Sequence, residues 1–441
     1  MEETGAMAES APARAVERGY GRAAARRLGG NVPGICVVEP PPPAFVGRRY
    51  WTASRVAMVP LLSLLAVLAC CSSMQPRFYP LGISGVRDAG ALPTVRDAGF
   101  NLVFGPADPP FLDSAKANGL KVISSTGLGA ASDLNAALAR EKVLRRDRHP
   151  ALWAWCLADE PEMHLVPPAD VRRARRLLER AGARKPTAVV LFQGYAAGDY
   201  ANIADMTFCD RYPIPWLPLA NFGQHLKMVR LALGKDKPLI AIVQAFDWKY
   251  YPEQHDEEPA RLRAPTYEEI RCMTYSALAE GANGLFYYAF DDGPGRWRMQ
   301  EHPETWQAVR EVVREVKTRL PLFQAEHVWW PKDYAWEGND RGFNAALLSS
   351  IDLVLLRVNK GAGTVPKGMY ILAVNNTDQP HVFRFRLPAG TAGDLPVLDE
   401  DRRLPIQTGW VQDSFSPFAV HVYGPLKLPA TSQQLVGSPA R

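Results

Sequence analysis

The chain has 441 residues, more than one ordinary domain needs, and leaves room for a barrel of roughly 250 residues plus a smaller unit. A hydrophobic share of 47% with 22% charged residues fits a globular protein and excludes a disordered chain or a multi-span membrane protein. The net charge of +5 is weighted to the front, where residues 1–57 hold eight Arg against five Glu; no basic run interleaved with aromatics marks a nucleic-acid partner.

Residues 1–55 are rich in Ala, Arg and Pro, and read as a disordered or over-extended leader with no part in the fold. The apolar run VAMVPLLSLLAVLA (56–69) follows Arg48, Arg49 and Arg55; it is short for a bilayer span and suits the core of an export signal. It ends in Leu68-Ala69-Cys70, so that segment 56–73 resembles a bacterial lipoprotein signal. The resemblance implies a lipid on Cys70 and a mature protein tethered to membrane, in the periplasm or at the cell surface. Three cysteines lie beyond the signal, Cys156, Cys209 and Cys272, with no CxxC; this spacing favours neither a disulfide framework nor a zinc site.

From residue 81 short apolar runs alternate with helical patterns. The runs are 81–86, 100–105, 120–126, 151–158, 187–192, 205–210, 238–246 and 283–290. Unbroken apolar strands of this kind suit a parallel sheet covered on both faces. Between them, 91–99, 113–119, 131–147, 169–181, 219–234, 266–281 and 304–320 carry helical spacing, and Thr266 with Glu269 has the spacing of a capping box. Only a short helix near 199–205 follows the fifth strand. Eight strand–helix units over 78–325 predict a closed (β/α)8 TIM barrel, an α/β fold. An open doubly wound sheet is the alternative, but no GxGxxG or GxxxxGK[ST] turn is present.

After residue 325 the pattern becomes β-rich with Gly, Pro, Asn and Asp turns. Strands are expected at 344–351, 352–359, 369–376, 381–388 and 418–425, forming a small antiparallel β-sandwich domain over 326–425 with a tail at 426–441. Trp329 and Trp330 read as core at the junction, and Asn375-Asn376-Thr377 reads as a turn.

In such a barrel the functional groups sit at the C-terminal strand ends. Those ends supply Asp159 and Glu160, Gln193, Asp210 with Tyr212, Gln244, Asp247, and Asp291 with Asp292. No HxH pair is present, which argues against the metal-dependent barrel hydrolases, and no cofactor is implied. The sharpest signal is ALWAWCLADEPE (151–162). Pro161 fixes the turn after Glu160 at the barrel mouth, and an apolar surround with Trp153 and Trp155 is expected to raise its pKa, as a general acid requires.

This W-x-W-x-x-x-D-E-P run resembles the (β/α)8-barrel glycoside hydrolases, whose acid/base Glu stands before Pro at the end of strand four. The resemblance implies Glu160 as general acid/base and a carbohydrate substrate. Two positions depart from that pattern. Asp159 stands where the superfamily often has Asn, and Gln244 stands near the strand-seven slot for the nucleophilic Glu. Three explanations stay open: another carboxylate serves (Asp210, Asp247, Asp291 or Asp292), the enzyme inverts with a more distant base, or the site binds sugar without cleaving it. Asp210 is favoured, because it follows an apolar strand and precedes Arg211-Tyr212-Pro213; a salt bridge to Arg211 is the structural alternative. Asp159, Tyr212, Gln193, Gln244, Asp291 and Trp248 are the expected sugar contacts, with Trp248 or Trp216 as a stacking platform. A non-catalytic carbohydrate-binding surface lipoprotein on a degenerate barrel is the competing reading.

Overall fold

The computed structural model describes residues 78–127, 146–329, 334–336 (backbone only) and 350–428. The leader, the signal segment with Cys70, Trp330, most of the helix expected at 131–147, all but the end of the strand expected at 344–351, and the tail after 428 lie outside the described residues. Residues from Pro76 onward form one compact unit.

Eight parallel strands close into a barrel in sequence order. They are β1 (Leu81–Ile83), β2 (Leu102–Phe104), β3 (Lys121–Ser125), β4 (Leu152–Asp159), β5 (Thr187–Leu191), β6 (Met206–Cys209), β7 (Leu239–Gln244) and β8 (Gly284–Tyr288). Strand β1 closes the ring on β8 with Gly82 opposite Phe286. The ring of Phe286 packs edge-on against Phe208 at 5.2 Å, and a Cβ on Gly82 would meet it at 2.4 Å. Glycine is therefore needed at position 82 for an aromatic to fill the barrel. All residues of β5 and β7 are buried, as continuous apolar runs require.

Helices cover the outside: α1 (Leu92–Asp97), α2 (Pro109–Ala117), α3 (Pro168–Arg180), α4 (Ala197–Tyr200), α5 (Ala220–Leu233), α6 (Tyr267–Ala279) and α7 (Pro303–Thr318). The capping box opens α6, Thr266 accepting from the Glu269 amide and Glu269 from the Thr266 amide. Among the described residues no helix is long and apolar enough to cross a membrane.

Beyond a short turn of helix, α8 (Leu320–Phe323), antiparallel strands follow: β9 (Glu326–Val328), β10 (Tyr334–Trp336), β11 (Ile351–Val358), β12 (Gly368–Asn375), β13 (His381–Arg386), β14 (Leu395–Pro396), β15 (Arg403–Leu404), β16 (Trp410–Phe415) and β17 (Val420–Tyr423). One sheet runs β17-β12-β11-β9, a second β10-β13-β16. Between them, Leu353, Leu355 and Ile371 meet Phe383, Phe385 and Phe415 in a core of their own. The opposite face of the first sheet joins the barrel core through Leu356, Val358, Tyr370, Leu372 and Val374. This sheet is thus a wall shared by two cores. Its partner helix α6 is buried continuously from Cys272 to Ala279.

Polar groups close the same seam. Asn376 Oδ1 accepts from Ser276 Oγ at 2.6 Å, and Cys272 Sγ donates to the Asn375 carbonyl at 3.4 Å. Arg319 reaches Asp399 at 2.8 Å and Glu315 at 2.6 Å. The Asn-Asn-Thr segment is accordingly an inter-layer fastener as well as a turn. Asn376→Leu, which strands the Ser276 hydroxyl in a dry interface, is expected to lower unfolding stability by roughly 2 kcal/mol in a denaturant titration, with unchanged slope. Trp329, expected in this junction's core, instead lies 62% exposed. Strand β16 was not anticipated, because an inward Asp413 interrupts its apolar alternation. That carboxylate is buried by a two-pronged contact with Arg402 and by the Tyr423 hydroxyl.

Candidate active site at the barrel mouth

Strand β4 changes register against β5 between Cys156 and Ala158, a bulge just before its end. Asp159 closes the strand, and Glu160 then takes φ 43°, a left-handed conformation uncommon outside glycine. Pro161 follows, and the Glu160 carbonyl accepts from the amides of Met163 (3.0 Å) and His164 (3.1 Å), turning the chain back over the mouth. Asp159 touches solvent although protein surrounds it, as expected for the floor of an open recess.

Asp210 comes off the end of β6, its amide continuing the ladder to the Leu191 carbonyl at 3.1 Å. It is 4% exposed. Tyr212 donates its hydroxyl to Asp210 Oδ2 at 3.2 Å. The other oxygen, Oδ1, has no N–H or hydroxyl donor. The Glu160 side chain stands close enough for the two carboxyls to act on one another's ionisation. Two ionised carboxylates would repel there, so the two groups do not ionise independently. Burial first, and then the charges of Asp159 and Glu162, push the Glu160 carboxyl up to about 7 despite the Asp210 contact. Burial and the Glu160 charge likewise raise Asp210. Both carboxyls therefore hold a proton more tightly than a free carboxylate does. The source of the shift differs from expectation: Trp155 turns away and donates its indole N–H to Asp147, and Trp153 packs on Phe78.

Glu162, two residues on, was not singled out from the sequence. Its Oε1 accepts from the Gln193 amide at 2.9 Å, and burial raises its pKa. The repeated acid in D-E-P-E was the available signal. Across the recess an aromatic wall begins at Tyr212, which stacks on Tyr288 at 5.5 Å and meets Phe246 edge-on at 5.0 Å. The hydroxyls of Tyr288 (2.7 Å) and Tyr251 both donate to Asp292 Oδ2. The Asp292 charge in turn helps to raise Asp159, behind the larger effect of burial. Asp159, Glu160, Asp210, Tyr212 and Asp292 are thus drawn to one place.

Several expected contacts lie elsewhere. Gln244 is fully buried; its oxygen accepts from the Ile214 amide at 2.9 Å and its NH2 donates to the Ile214 carbonyl at 2.8 Å. It fastens the loop after β6 and has no group left for a sugar. Asp291 accepts from the Gly293 amide and pairs with Arg298 at 3.2 Å, leaving Asp292 as the member that faces the tyrosines. Asp247 is buried, capping a turn at the Lys249 amide and pairing with Lys249 Nζ. Trp248 is 9% exposed beneath Trp216, Phe246 and Tyr251, so the half-buried Trp216 is the more accessible ring. Gln193 is half-buried, its NH2 against Met163 Sδ at 3.5 Å. Arg211 does not pair with Asp210; it donates to Asn221 at 2.6 Å and lies over the Phe192 ring. Among the described residues no three carboxylate, imidazole or thiol groups converge as a metal site would require.

No family model matches the sequence, and no curated protein matches it. Solved structures do share the fold. A β-galactosidase from Bacillus circulans sp. alkalophilus superposes with TM-score 0.53 at 9% identity, covering 79% of this chain and 99% of that one. A catalytic mutant of a GH42 β-galactosidase from G. stearothermophilus superposes with TM-score 0.54 at 8% identity, covering 80% and 99%. At such identities the likeness is one of fold.

Proposed function

We propose that the chain is an exported glycoside hydrolase, tethered to membrane through a lipid on Cys70, that cleaves an oligo- or polysaccharide with Glu160 as general acid. The observation that carries this reading is the Glu160–Asp210 pair in the barrel mouth, where burial keeps a proton on the Glu160 carboxyl up to about pH 7. Glu160 gives that proton to the glycosidic oxygen as the C–O bond breaks, and the leaving sugar departs as an alcohol. Glu160, now ionised in a buried place, has a raised proton affinity. It recovers a proton from the water that attacks the anomeric carbon, so the cycle closes. The positive charge that develops on the sugar is met by the Asp159 and Asp292 carboxylates across the recess. Tyr212 orients Asp210, and the half-buried Trp216 and Tyr288 offer ring faces to sugar C–H groups. The barrel's likeness to two β-galactosidases supports the same chemistry by analogy of fold.

The test is a panel of aryl glycosides and polysaccharides offered to residues 72–441. The pH profile should fall on its alkaline side near pH 7, where Glu160 loses its proton. Asp210→Leu removes the contact that holds the Glu160 carboxyl down, and should move that limb up by about one pH unit. An unmoved limb would exclude Asp210 from the pair.

A second reading, a sugar-binding lipoprotein without turnover, is favoured by one observation: the strand-seven slot holds a structurally engaged Gln244 in place of a carboxylate. No hydrolysis anywhere in the panel, with saturable quenching of tryptophan fluorescence by a saccharide, would select it.

A further inference from the structure

All eight barrel strands are parallel, so their N-terminal ends share one rim, opposite the recess. The chain enters β1 at that rim. Arg146 and Arg148 stand just before β4 there, Arg180 ends α3, and Arg184 and Lys185 lead into β5. Asp147 knits these segments together: its buried carboxylate accepts from the Arg184 amide at 2.8 Å, the Lys185 amide at 3.2 Å and the Trp155 indole at 3.0 Å. The neighbouring carboxylates are already engaged. Glu179 and Asp205 pair with Arg175 at 2.9 and 2.8 Å, and Asp113 pairs with His149 at 3.1 Å. Among the described residues none of the five cations has an ion-pair partner. Arg148, Arg180 and Arg184 are exposed, and Arg146 and Lys185 partly so.

We propose that this rim docks on the anionic phosphate surface of a lipid leaflet, holding the recess outward. The inference rests on the lipid anchor at Cys70 and goes beyond it. Seven residues lie between Cys70 and Phe78, eight chain steps with a reach of at most roughly 28 Å when extended, and Phe78 lies just ahead of β1. An anchored barrel is therefore confined near the leaflet with its basic rim on the tethered side. A leaflet rich in anionic lipid attracts juxtamembrane cations, each adding a factor of roughly five in partition, and the attraction fades with salt. A tether with charged contact fixes orientation, which a tether alone does not.

The experiment uses residues 72–441, which contain the whole compact unit from Pro76 onward but no anchor, with sedimenting vesicles of phosphatidylcholine alone or mixed equally with phosphatidylglycerol. Binding is expected to the mixed vesicles only, declining as salt is raised. The combined substitutions Arg180→Glu, Arg184→Glu and Lys185→Glu should weaken it at least tenfold. Arg172→Glu with Arg173→Glu, at the mouth end of the same helix, should leave it unchanged. Equal binding to both vesicle types, no binding to either, or indifference to the triple change would each overturn the proposal, as would preference for a soluble anionic polysaccharide over the vesicles. Acylation of Cys70 is read separately, from the mass of the full chain against Cys70→Ser. Loss of the anchor reading and loss of the docking face are thus independent results.

Discussion

Glu160→Gln is expected to reduce turnover by 10²- to 10⁴-fold, the range typical of losing a general acid, while making the protein more stable above neutral pH. The two effects share one cause. In the unfolded chain Glu160 titrates near 4.5, and in the folded protein burial and neighbouring carboxylates raise it to about 7. Folding therefore takes up a proton between those values. The folded state is favoured below about pH 4.5 relative to alkaline solution, and that advantage is lost as pH climbs through 7. A neutral Gln removes the penalty, so the gain should be absent at pH 4 and on the order of 2 kcal/mol at pH 8. Thermal midpoints at the two pH values, beside initial rates on the best substrate, are the measurement. A variant that keeps full activity removes Glu160 from the chemistry. One that loses activity without a stability gain at pH 8 contradicts the raised Glu160 carboxyl.

The second large effect is predicted for Gln244→Glu. From sequence alone this change looks like a repair, because it writes the nucleophilic carboxylate back into strand seven. The geometry predicts the opposite. The Gln244 amide is the complementary partner of Ile214, donating to its carbonyl and accepting from its amide, with a further 3.4 Å contact to the Phe246 carbonyl, all without solvent. A carboxylate keeps the acceptor but points a lone pair, with negative charge, at two backbone oxygens. Breaking a buried polar pair on one side typically costs about 3–5 kcal/mol when it leaves an uncompensated charge. A midpoint loss in urea is expected, with no rise in rate; Gln244→Met, which removes the bonds without adding a charge, should lose less. A Gln244→Glu variant that is both stable and faster would show that strand seven does supply a missing nucleophile.

What the sequence made legible follows from range. Barrel strands such as 187–191 and 239–244 are buried on both faces, so composition alone marks them, and the helix punctuation at Thr266 is local. Glu160 and Asp210 were visible for a similar reason: each is an acid placed straight after an apolar strand, and the backbone direction carries it to the mouth. Side chains whose partners lie far away in sequence were not legible. Gln244 reads as a binding residue until Ile214, thirty positions earlier, is seen to occupy it. Asp291 and Asp292 are indistinguishable as letters; Arg298 claims one, while Tyr251 and Tyr288 claim the other. Trp248 reads as a platform because Pro and charged residues surround it in sequence, yet a ring of aromatics from other loops covers it. Asp413 hid β16 for the same reason, since its compensating Arg402 stands eleven residues earlier.

The sheet that serves two cores bears on how this chain is to be handled as a piece of engineering. Strands β11 and β12 present one set of side chains to the sandwich and the alternate set to the barrel, and α6 meets the end of β12 through Cys272 and Ser276. Cutting at residue 325 to isolate a minimal barrel would strip the sheet from the Cys272 and Ser276 face of α6 and from the core residues that it joins. The truncated barrel should precipitate or self-associate. Grafts between related proteins should accordingly exchange loops at the mouth and leave the seam between barrel and sandwich uncut.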